Sequence, residues 1–64
     1  MPLPELWSQF RTYEAQARRK PDDGLFLAHV KFECRRIMGE AAAFGDEGLE
    51  LERQCSRLIY NLGG

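Results

Sequence analysis

The sequence predicts an all-α domain, a three-helix up-down-up bundle, and three observations carry that expectation. Apolar residues recur at three- and four-residue steps in three stretches, the spacing of a helical face and not the alternation of a strand. Two breaks separate the stretches, Lys20-Pro21-Asp22-Asp23-Gly24 and Phe44-Gly45-Asp46, and each holds a residue that ends one helix and a residue that can cap the next. The chain has 64 residues, enough for one core at most. A domain of that size buries only about 60% of the surface its unfolded chain exposes. It gains from any added contact, and dimerisation could complete it.

The first helix is expected over about residues 4–19. Pro4 suits the first turn, where its missing N–H is not needed. Leu3, Leu6, Trp7, Phe10, Tyr13 and Ala17 then fall on one face. Proline after Lys20 pushes that lysine out of the helical region, and the aspartates at 22 and 23 can cap the second helix.

The second helix is expected over about 23–43, with a core stripe of Phe26, Val30, Cys34, Ile37, Ala41 and Phe44 and with Leu27 and Met38 on its shoulder. Gly45 can take a left-handed turn, and Asp46 can cap a third helix over about 47–62. Glu47, Glu50 and Glu52 suit the positive end of that helix. Leu51, Cys55, Leu58, Ile59 and Leu62 form its apolar face, and Gly63-Gly64 stop it. Trp7, Phe10, Val30, Ile37, Leu51, Leu58 and Ile59 are expected to be buried in one cluster.

A second apolar line runs along the second helix, through Leu25, Ala28, Phe32, Gly39 and Ala43. At about 100° per residue these five fall within about 60° of one another and roughly opposite Val30. Three helices give the second only two neighbours, and both can sit on one side. The line is therefore either a contact surface for another molecule or covered by a wrapping first or third helix.

Composition excludes several functions. Nine Lys+Arg stand against ten Asp+Glu, a formal charge of −1, which argues against a dedicated nucleic-acid binder. The one basic cluster, Arg18-Arg19-Lys20, sits where a helix C-terminus favours cations. Cys34 and Cys55 with the single His29 are too few and too scattered for a zinc site. The sequence shows no leader-like stretch and no apolar run of membrane length, so a cytoplasmic protein with free, buried thiols is expected, with one disulfide as the alternative. His29 has no Ser or Cys at helical spacing to activate, and it reads as a solvated side chain. Glu33 and Glu40 read as surface charge, because a bundle this small has little room for an acid–base cleft. No glycine-rich phosphate loop is present. The expectation is no catalytic site, no cofactor and no metal.

Several phrases resemble known motifs. Ala41-x3-Gly45-x5-Leu51 matches the spacing of a helix-turn-helix, but its recognition helix would open on Asp46, Glu47, Glu50 and Glu52, which repel phosphate. Tyr60-Asn61-Leu62-Gly63 is similar to the opening of a tetratricopeptide repeat, without the repeat of about 34 residues such an array needs. The final Leu-Gly-Gly is similar to ubiquitin-like tails, which belong to β-grasp folds.

The stretch Cys34-Arg35-Arg36-Ile37-Met38-Gly39-Glu40-Ala41-Ala42-Ala43-Phe44-Gly45 resembles the signature of histidine phosphotransfer domains. Gly39, Ala41, Phe44 and Gly45 stand at the matching places, and the flanking helices extend the likeness to most of the chain. Arg35 occupies the position of the phosphorylatable histidine, and a register shift to His29 would put Glu33 where the glycine belongs. The family's bundle also has a fourth helix. The resemblance thus implies a degenerate docking domain in bacterial signalling, its partner-facing surface near Leu25, Phe32 and Gly39. The functional expectation is a non-enzymatic interaction module that binds a protein partner or itself, and neither nucleic acid nor membrane, through Leu25, Ala28, Phe32, Arg35, Gly39 and Ala43.

Overall fold

The computed structural model describes residues 2–63. It is an all-α bundle of three helices, α1 (Leu3–Arg19), α2 (Gly24–Ala42) and α3 (Leu49–Asn61), with a 3₁₀ turn at Gly45–Gly48. α2 is the central element: α1 and α3 both pack along it and scarcely meet each other. The molecule measures 34 × 19 × 14 Å. Among the described residues no helix is long and apolar enough to cross a membrane.

The helix ends follow local chemistry closely in two of three cases. Pro2 precedes α1, and its carbonyl accepts from the N–H groups of Glu5 and Leu6 at 3.1 and 3.2 Å. Asp23 caps α2, its Oδ1 accepting from the Phe26 N–H at 3.0 Å, which satisfies one of the helix's open donors.

The third start departs from expectation. Asp46 does not cap α3. The chain leaves α2 through Gly45, in the left-handed region at φ 61°, and makes the 3₁₀ turn before α3 begins at Leu49 with no side-chain cap. Gly48 gives the physical reason. A Cβ placed on it would lie 2.0 Å from the Ala41 carbonyl oxygen, so the turn presses backbone against backbone where only glycine fits. At the other end of α3, Gly63 has φ 91°; Gly64, the second glycine expected to stop the helix, lies outside the described residues.

The core is Leu6, Phe10 and Ala17 from α1, Val30, Cys34, Ile37 and Ala41 from α2, and Leu51 and Cys55 from α3. Of the seven residues expected in it, Phe10, Val30, Ile37 and Leu51 are fully buried, whereas Trp7, Leu58 and Ile59 are half-buried and packed against its edge. The correction follows from the layout. Because α1 and α3 diverge, a groove of about 220 Å³ opens between them, floored by Ala17, Leu58 and Leu62 and rimmed by Glu14, Arg18 and Arg57. Trp7 instead stacks edge-on against Phe10 at 6.1 Å, with the Arg11 guanidinium over its outer face at 5.3 Å.

Candidate functional site

The six residues expected to bind a partner all lie on the outer face of α2, and all six are exposed. Leu25 is 88% exposed and Phe32 64%. The covering alternative is therefore overturned, since neither α1 nor α3 wraps far enough to reach the line. At about 1.5 Å per residue the strip from Leu25 to Ala43 is about 27 Å long. Phe32 is its aromatic protrusion and Gly39, two turns further on, its hollow. Nothing lies within 4 Å of a Cβ built on Gly39. Arg35 stands on the same face between them, exposed.

One edge of the strip is a polar network that ties α2 to α1. Arg36 is its centre. Its Nε donates to Glu33 Oε2 at 2.9 Å, its Nη1 donates to Glu40, and its Nη2 donates across to Gln9 Oε1 on α1 at 2.7 Å. The bond to Glu33, ahead of the charges of Glu33 and Glu40, holds the guanidinium above its already high range. Glu33 and Glu40 are consequently not free surface charges, because both neutralise one arginine. The Tyr13 phenol is pushed up first by burial and then by the Glu33 charge. His29, exposed, rests edge-on against the Tyr13 ring at 5.8 Å. An open groove of about 470 Å³ lies beside this network, lined by Ser8, Gln9, Thr12, Tyr13, Gln16, His29 and Arg36. With its arginine matched by two carboxylates, the groove offers no excess positive charge to hold an anion. Through Gln9 the network ties α1 to α2 beside the strip.

Sequence reasoning did not reach Gln9, although the spacing of Glu33, Arg36 and Glu40 is the one that links side chains along a helix. A partner 27 residues away in sequence leaves no local trace. Gly48 was likewise missed.

Cys34 and Cys55 are both free and buried. They face each other across the α2–α3 seam: the interaction between the two thiols, ahead of burial, pushes Cys55 up, and the same interaction eases Cys34 down against the opposing cost of burial. Among the described residues no three His, Cys, Asp or Glu side chains group as metal ligands would. Comparison with known proteins finds no matching family model, no matching curated protein and no matching solved structure.

Proposed function

We propose that this chain is a non-enzymatic interaction module that docks a helix, from a partner protein or a second copy, on the outer face of α2. The observation that carries the reading is Phe32, a large aromatic left 64% exposed in mid-helix on a line of otherwise small or apolar residues. Burying such a side chain on docking would contribute about 1.5–3 kcal/mol, and aromatic anchors of this kind tend to dominate contact energies. Gly39 supports it. A glycine inside a helix costs roughly 0.5–1 kcal/mol relative to alanine, and here no intramolecular neighbour explains it. A second helix could approach closely at that point. Arg35 flanks the line and would pair with an acidic residue of the partner; in an antiparallel pairing of two copies it would face its own equivalent. The same proposal sets the domain in the cytoplasm, a reducing setting that its free thiols suit.

Phe32→Glu tests the reading. The variant is expected to keep its helical circular dichroism and to melt within a few degrees of wild type, since an exposed change moves stability by about 0.5 kcal/mol or less. In sedimentation it loses the self-association shown by wild type, or it loses a purified partner that wild type retains. A variant that unfolds would return the strip to the core. A wild type that stays monomeric, with no partner distinguishing it from Phe32→Glu, would also overturn the proposal.

A second reading is that of a degenerate phosphotransfer-like docking domain. It draws support from the exposure of Arg35 beside Phe32 and Gly39 on one face. It is expected to bind a receiver domain without accepting phosphate, and acid-labile phosphohistidine at His29 after treatment with acetyl phosphate would refute it.

A further inference from the structure

The register of the seam between α2 and α3 is pinned at one point. Gly48 sits on the Ala41 carbonyl closely enough that a methyl group would collide with it. The two helices run antiparallel from that contact. Seven residues back along α2 from Ala41 is Cys34, and seven residues forward from Gly48 is Cys55. Seven residues are about two turns on either helix, so both steps return to the seam. Both side chains there are fully buried. The register thus sets the only two cysteines of the chain against each other across the most extensive helix pairing in the molecule.

We propose that Cys34 and Cys55 are a redox-modification site, closing to an intramolecular disulfide that locks α3 onto α2 when the protein meets a low-molecular-weight disulfide oxidant. Two thiols give up two protons and two electrons, and the oxidant's own disulfide takes them and leaves as two thiols. Attack begins from Cys34, whose ionisation the neighbouring Cys55 eases. Its thiolate displaces one thiolate from the oxidant and forms a mixed disulfide. The Cys55 thiolate then attacks the Cys34 sulfur and expels the second. Because both sulfurs are sealed from solvent, the first step waits on local opening of α3, and the closed bond then prevents that opening. A disulfide requires a Cα separation of about 4.4–6.8 Å, and two turns from the cysteines Gly48 brings the chain onto the backbone of α2 at Ala41. In a reducing compartment the pair stays open as thiols, and only an oxidising excursion sets the lock. The inference is independent of what the outer face of α2 binds.

The test incubates the intact wild-type protein with oxidised glutathione and follows thiol loss, mass and melting. The expected product is a monomer lacking two hydrogens. Trypsin should release from it a linked pair of peptides, Phe32–Arg35 joined to Gln54–Arg57. Its melting temperature should rise by on the order of 10 °C or more, from restriction of the unfolded chain, and fall back on reduction. Cys34→Ala and Cys55→Ala, each small enough to fold in place, should show no rise. Disulfide-linked dimers, a stable glutathione adduct on either cysteine, two thiols persisting after prolonged incubation near the melting midpoint, or a linked monomer that melts lower than the reduced one would each overturn it.

Discussion

Gly39→Ala separates a glycine that the fold needs from one that only an outside contact would use. In the monomer the position is helical, exposed, and empty for 4 Å around any added Cβ. Alanine there meets no clash and removes the backbone freedom that glycine must surrender on folding. The gain is roughly 0.5–1 kcal/mol, which in a domain of this size raises the melting temperature by about 2–8 °C. Urea titration should show the midpoint moving up with an unchanged slope. A variant that melts lower than wild type would show that Gly39 serves the fold, and its emptiness would then say nothing of a partner. Gly39→Leu completes the test. It should melt no lower than wild type, for want of anything to collide with, yet it should block docking by filling the hollow beside Phe32. If Gly39→Leu associates as wild type does, the close approach does not occur at that point.

Ile37→Ala removes a fully buried side chain from the middle of α2, and a loss of about 2–5 kcal/mol should abolish the cooperative thermal transition of so small a domain. Gly48→Ala should be destabilising by about 1–3 kcal/mol, because its methyl group would collide with the Ala41 carbonyl; a stability equal to wild type in urea would refute the close contact. Tyr13, whose phenol is raised by burial and by Glu33, holds its proton more tightly folded than unfolded. The stability it contributes is full below the unfolded pKa of about 10 and is lost as pH climbs through the folded value. Tyr13→Phe should flatten that alkaline decline, and an unchanged pH profile would count against it.

The core stripe of α2 was legible because Val30, Cys34, Ile37 and Ala41 recur at the helical period, and a period is a local property of sequence. So was the outer line, since five residues about half a turn from that stripe declare a second face whatever packs nearby. How far a neighbouring helix covers a flank is not local. Trp7, Leu58 and Ile59 carry the same periodic signal as Phe10 and Leu51, yet they stay half-buried at the edge of a core in which α1 and α3 scarcely meet. The start of α3 fails for a related reason. Asp46 is a sound capping residue, but the chain there obeys the contact between Gly48 and Ala41, which asks for the 3₁₀ turn first.

The two glycines most informative about this molecule are indistinguishable in the sequence and opposite in the fold. Gly48 is buried against the Ala41 carbonyl, so its missing side chain is accounted for inside the chain, and it sets the register that brings Cys34 to Cys55. Gly39 has the same freedom to lose, a helical setting that magnifies the loss, and no neighbour to justify it. It lies two turns from Phe32 on one exposed face, a hollow beside a protrusion. If intramolecular packing were the whole account of α2, alanine would serve better at residue 39 and a polar side chain at residue 32. That both positions depart in the direction a docked helix would use is what gives the outer face its functional reading.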